Sequence, residues 1–175
     1  MTDYRFTPII PIATASHSKF YPRGPFISII LAQWAIESAW GQHQSGRNNY
    51  FGIKATHDQV AAGQATIRWT HETINGVYQA MPQYFADYNT IQDGFDAHAR
   101  LLTTPWYERC IDAQSPQDYA HALWLCHYAT GIPGHPYDQV LIDLMDQQDL
   151  YQFDKAAKHE QPRITLWQLQ THSYR

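Results

Sequence analysis

The chain has 175 residues, 44% of them hydrophobic and 16% charged, a composition that fits one folded globular domain and excludes an intrinsically disordered chain. Its formal net charge of −4 excludes the basic face that a nucleic-acid binder normally carries. The 14% aromatic content, with six Trp and twelve Tyr, suits a ring-filled core or a groove for flat, partly apolar ligands such as sugar rings.

A first helix is predicted over residues 9–21, ended by Pro22-Arg23-Gly24-Pro25. A second is predicted over residues 25–40, with Pro25 in its first turn and Gly41 as its terminator. Phe26, Ile27, Ile29, Ile30, Leu31, Trp34, Ile36 and Trp40 make it apolar nearly all round, the mark of a buried helix. Residues 42–50 are rich in Asn, Gln and Gly and read as a loop. Ile67, Trp69, Val77, Tyr78, Tyr84 and Phe85 are strand formers, and Asn75-Gly76 between them is a strong hairpin signal, so an antiparallel hairpin is predicted over residues 64–88. Thr90 with Asp93 forms a capping-box pattern opening a helix to about Leu102. Thr104-Pro105 opens another, and Ser115-Pro116 with Asp118 a third to about His127. Residues 128–135 read as a Gly/Pro loop and residues 136–147 as the last helix. The polar tail carries an isolated apolar cluster, Ile164, Leu166, Trp167 and Leu169.

Two cysteines, Cys110 and Cys126, fall in predicted helices and read as buried free thiols. The ten His show no HExxH and no paired ligand spacing, so no metal centre is expected. The first ten residues lack the basic start and apolar core of a secretory signal, and the longest apolar run, residues 26–32, is too short to span a membrane. The expectation is synthesis in the cytoplasm without a cleavable signal, and no membrane segment.

Glu37 is the outlier. It sits in the most apolar helix, with Trp34 and Trp40 three residues to either side and therefore beside it on a helical surface. Apolar surroundings disfavour the charged carboxylate, and a carboxyl held protonated is what a general acid needs. A structural pairing, with an Arg or with Gln33 on the same face, would account for it as well. Glycoside cleavage generally takes a second carboxylate, for which Glu72, three residues before Asn75-Gly76, is the candidate.

The stretch Ala32-Gln-Trp-Ala-Ile-Glu-Ser-Ala-Trp-Gly41 resembles the AQxxLESxWG signature of the bacterial glucosaminidases, glycoside hydrolase family 73. Asn48-Asn-Tyr-Phe-Gly-Ile-Lys-Ala55 is similar to that family's FGIKA block, Thr70-His-Glu-Thr-Ile-Asn-Gly76 to its TxExxNG hairpin, and Gly94-Phe-Asp-Ala-His-Ala-Arg-Leu-Leu102 to its FxDYxRLL segment. Tyr128-Ala-Thr-Gly131 resembles its YATD, with Gly131 where Asp is usual. The resemblance runs in order over about residues 10–147, and several ordered blocks are more specific than any one alone. It implies an α+β, mostly helical, lysozyme-like fold with a small hairpin lobe and a groove beside it. The catalytic domain would cover residues 1–149, with residues 150–175 as a C-terminal extension packed on the domain or trailing from it.

By this resemblance Glu37 is the catalytic acid, Glu72 the second carboxylate and Tyr128 a tyrosine near the scissile sugar. Gln33, Trp40, Asn49, Tyr50 and Phe51 are the candidate substrate-binding residues. The implied substrate is the glycan strand of peptidoglycan, cut after N-acetylglucosamine by a monomer with no metal or organic cofactor. Inverting, retaining and substrate-assisted routes all remain open to these residues. Alternatives are a lysozyme-type muramidase cutting the other bond, or a non-catalytic wall-binding phage module. With no signal peptide expected, a phage lysin or a secreted effector acting in a periplasm fits, the effector calling for an immunity protein that plugs the groove.

Overall fold

The computed structural model describes residues 1–74, 77–132 and 134–158. They form two compact units. One takes the chain up to Gln33 and again from Ala99 onward; the other is Trp34–His98.

In the first unit, α1 (Ile10–Phe20) is followed by α2 (Ile27–Glu37), which continues into the second unit. Pro25 lies before α2, so the helix starts two residues later than predicted. Residues 27–35 of α2 are all buried, in keeping with an all-round apolar sequence. Each fully buried Ile or Leu contributes about 1.5–3 kcal/mol relative to an exposed one, so α2 is the anchor of this core. Further along the chain come a 3-10 turn (Pro105–Tyr107) and α5 (Glu108–Ile111), where sequence predicted one helix. Next is α6 (Pro116–Leu125), capped by the Ser115 hydroxyl accepting from Asp118 N at 3.0 Å. Then come the short strands β3 (Gly131–Ile132) and β4 (His135–Pro136), α7 (Tyr137–Gln147) and α8 (Tyr151–Lys158). Phe26 meets Tyr119 edge-to-face at 5.9 Å between ring centroids.

Two features of this unit differ from the sequence reading. The segment read as a plain loop contains the β3–β4 pair, and a helix follows α7. Leu150 is fully buried and Asp154, 5% exposed, accepts from the Ser28 backbone N–H at 3.1 Å, so the chain just past residue 149 is part of this core. The apolar cluster at Ile164–Leu169 lies outside the described residues. Cys110 and Cys126 are buried free thiols, as expected. Burial, and secondarily the adjacent Cys126 thiol, pushes the Cys110 thiol well above its ordinary range.

The second unit holds the last turn of α2, α3 (His57–Ala61), the hairpin β1 (Ala65–Ile74) and β2 (Val77–Ala86), and most of α4 (Ile91–Leu101). The strands pair antiparallel from Ala65↔Ala86 to Ile74↔Val77, which is the predicted hairpin; its turn, Asn75-Gly76, lies outside the described residues. The capping box of α4 is present, Asp93 N donating to Thr90 Oγ1 at 3.1 Å and Thr90 N to Asp93 Oδ2 at 3.0 Å. Sequence reading missed α3, although Thr56 and Gln59 form a reciprocal capping box of the same kind. Phe51, Phe85, Phe95 and His98 form the core of this unit. Among the described residues no helix is long and apolar enough to cross a membrane.

Candidate active site

The site begins where α2 stops. Trp40 N donates to Ala35 O at 2.8 Å and Ala39 N to Ile36 O at 3.5 Å, the paired bonds of a Schellman cap. This makes Glu37 the last helical residue, Ser38 the cap and Ala39 the residue that turns left-handed, with φ of 48°. Trp40 and Gly41 stay left-handed, at 62° and 80°. Ser38 reinforces the turn: its hydroxyl donates to Trp34 O and accepts from Gly41 N, the latter at 2.8 Å.

Two expectations are corrected here. The helix is ended at Ala39, not by Gly41. Trp40 therefore lies beyond the helix, and the three-residue spacing that placed it beside Glu37 does not apply. Glu37 itself is exposed, not sunk in apolar surroundings, because the cap carries the chain away at the point where the buried run of α2 ends. Trp34, 4% exposed, is the buried neighbour of this turn.

The loop that follows is held by Asn49, which is 1% exposed. Its Nδ2 donates to Ile53 O at 2.8 Å and to Ala86 O at 2.9 Å, while its Oδ1 accepts from Ile53 N at 3.1 Å. A side chain so committed fastens the loop to the end of β2, so the work these bonds show for Asn49 is structural. Phe51, another of the expected sugar contacts, is 5% exposed; it stacks on His98 at 3.9 Å and 12° and meets Phe95 edge-on at 4.9 Å. Tyr50 and Trp40 are half-buried and keep surface to offer a ligand. The Tyr50 hydroxyl accepts from Gln44 Nε2 at 3.0 Å. Glu72 lies on β1 opposite Gln79, at a register position on the same face of the ladder as Thr66 and Arg68.

Tyr128 belongs to the other unit. Half-buried, it stacks on Tyr137 with centroids 5.6 Å apart and planes 19° apart. The Tyr137 hydroxyl accepts from Gln33 Nε2 at 3.2 Å. Gln33 is fully buried and braces this tyrosine pair. Gly131, where the resembling family has Asp, holds φ of 86°, and a Cβ there would lie 2.5 Å from both His135 O and Tyr137 N. The tight β3–β4 pair thus excludes any side chain at that position.

A mostly helical α+β domain with a two-stranded hairpin and a carboxylate at the end of its buried helix defines a lysozyme-like glycoside hydrolase domain. The Glucosaminidase family model, described as mannosyl-glycoprotein endo-beta-N-acetylglucosaminidase, matches residues 23–150, and the chain belongs to this family. It is similar to the peptidoglycan hydrolase FlgJ of Escherichia coli K12, 33% identical over 128 residues that cover 69% of this chain and 39% of that protein. It is also similar to a probable N-acetylmuramidase of Lactococcus lactis MG1363, 30% identical over 157 residues covering 83% of this chain and 34% of that one. The chain thus spans well under half the length of these curated relatives. A C-terminally truncated glycoside hydrolase domain of Salmonella typhimurium FlgJ shares the fold with a TM-score of 0.63 and 29% identity, over 83% of this chain and 96% of that domain.

Proposed function

We propose that this domain hydrolyses the β-1,4 bond after N-acetylglucosamine in the glycan strands of peptidoglycan, with Glu37 as general acid. The observation that carries this reading is the placement of Glu37, in the segment that resembles the family signature, as the exposed final residue of an otherwise buried helix. A sugar covering the exposed carboxyl would remove water from it, which favours the protonated form. Protonated Glu37 then donates to the glycosidic oxygen as the bond to the anomeric carbon breaks. Glu72 takes the proton of the attacking water. The helix before Glu37 and the left-handed turn after it hold its backbone between them.

A second reading, cleavage after N-acetylmuramic acid, draws support from the likeness to the Lactococcus lactis protein. Digestion of purified peptidoglycan, followed by borohydride reduction and mass spectrometry, separates the two. Fragments ending in reduced N-acetylglucosamine support the glucosaminidase; fragments ending in reduced N-acetylmuramic acid replace it with the muramidase. For its setting we propose action on a bacterial wall, in the periplasm, by a phage lysin or a delivered effector. The effector form of this proposal calls for an immunity protein, which co-purification from the producing cell would reveal.

A further inference from the structure

The loop after the α2 cap and the start of β1 enclose an open pocket of about 520 Å³ lined by Gln42, His43, Gln44, Arg47, Thr66 and Arg68 among others. Two guanidinium groups line one pocket in a chain of net charge −4. Both are fixed by backbone carbonyls. Arg68 donates from Nε to Ser45 O at 3.2 Å and from Nη2 to Gln44 O at 3.5 Å. Arg47 donates from Nε to Tyr88 O at 3.2 Å. Neither has a carboxylate partner among the described residues. The nearby Asp87 carboxylate is taken up otherwise, its Oδ1 accepting from the Arg47 backbone N–H at 2.6 Å and from Thr66 Oγ1 at 2.8 Å.

A guanidinium carries five N–H donors in a planar fork, and these bonds use one of them on Arg47 and two on Arg68. Two positioned, incompletely used forks are suited to a planar oxyanion, which accepts charge-assisted and often bidentate hydrogen bonds. The Gln42 amide, with no side-chain hydrogen bond among the described residues, adds a further donor. The pocket also adjoins the candidate catalytic groups along the chain. Gln42 is five residues past Glu37, and Arg68 is four residues before Glu72 on the same face of the ladder.

We propose that Arg47, Arg68 and Gln42 form a subsite for a carboxylate of the peptide stem that the glycan substrate carries. The inference rests on the peptidoglycan reading above and deepens it. It makes the domain selective for peptide-bearing strands and ties cleavage to the anionic state of the stem. Wall phosphate is the other source of an oxyanion, and the test separates the two.

Peptidoglycan is stripped of phosphate polymers with hydrofluoric acid, and half of it is then converted to methylamides at its carboxylates. The readout is the ratio of kcat/KM on the native to the amidated material, for wild type, Arg68→Gln and Gln42→Glu. Wild type should prefer the native form by roughly tenfold or more, expressed mainly in KM, and both variants should bring the ratio toward one. Gln42→Glu decides the matter if Arg68→Gln fails to fold, since it keeps both carbonyl anchors while placing a carboxylate in the pocket. A wild-type ratio near one, or a ratio that Gln42→Glu leaves unchanged, overturns the subsite. Loss of the wild-type rate on hydrofluoric acid treatment alone reassigns the pocket to phosphate and overturns the carboxylate. If wild type cleaves neither material, the glycosidase reading falls and the subsite with it; cleavage at a ratio near one removes the subsite alone.

Discussion

Gly41 lies against the ring of Trp34: a Cβ on Gly41 would come within 2.7 Å of Trp34 Cζ2. The glycine therefore serves close packing after the helix, while the left-handed C′ position that usually takes glycine is filled by Ala39. Strain is held at the two residues that follow Glu37 and Ser38, where a fixed backbone matters most to a catalytic carboxylate.

Ala39→Gly relieves that strain. A left-handed non-glycine residue costs roughly 1–2 kcal/mol, so the variant should gain about 1 kcal/mol in urea unfolding after the greater entropy of the unfolded glycine is counted. A loss of stability would show that the alanine methyl, not the backbone, decides this position.

Gly131→Asp restores the residue usual in the resembling family and should harm this protein. The left-handed backbone and the 2.5 Å approach of His135 O and Tyr137 N leave no room, and a cost of roughly 2 kcal/mol or more is expected in thermal unfolding. Wild-type stability in Gly131→Asp would mean that the β3–β4 turn adapts freely.

Asn49→Ala removes three hydrogen bonds and takes the side-chain partner from the Ala86 carbonyl and the Ile53 N–H, while Ile53 O keeps its bond from Ala86 N, at an expected cost of about 2 kcal/mol. Asn49→Asp should not restore the loss, because a carboxylate cannot donate to Ile53 O and Ala86 O. Equal stability of Asn49→Asp and wild type in urea unfolding would count against the clamp.

His98 gives a pH dependence. Burial holds its imidazole at about 3, against an ordinary 6.5. The unfolded chain binds the proton that the folded chain refuses, so this contribution is complete above pH 6.5 and is lost as pH falls toward 3. Between pH 7 and pH 5 the loss is about 2 kcal/mol. In His98→Phe, which keeps a ring against Phe51, the difference in unfolding free energy between those two pH values should shrink by about that amount. An unchanged difference would mean that His98 is not the group responsible.

The helices and the hairpin were legible in the sequence because their signals are local: all-round apolar spacing in α2, alternation flanking Asn75-Gly76, and capping pairs at Thr90–Asp93 and Ser115–Asp118. The α3 helix carries an equally local signal in the Thr56–Gln59 capping box. What could not be read was set by tertiary geometry. Nothing in the residues around Glu37 announces that an alanine will turn left-handed and expose the carboxyl. Asn49, Phe51 and Gln33 share the signature blocks with Glu37, and their burial is set by packing between elements, which spacing along the chain does not show. Gly131 was visible as a departure, and only the closeness of His135 and Tyr137 explains it.

The most direct measurement of the central proposal is the release of reducing ends from purified peptidoglycan by wild type and Glu37→Gln at equal concentration, with matched circular dichroism and thermal unfolding. The expected result is a folded variant whose turnover falls by roughly 10²–10⁴-fold, the range for loss of a general acid. A folded Glu37→Gln with wild-type turnover would contradict it.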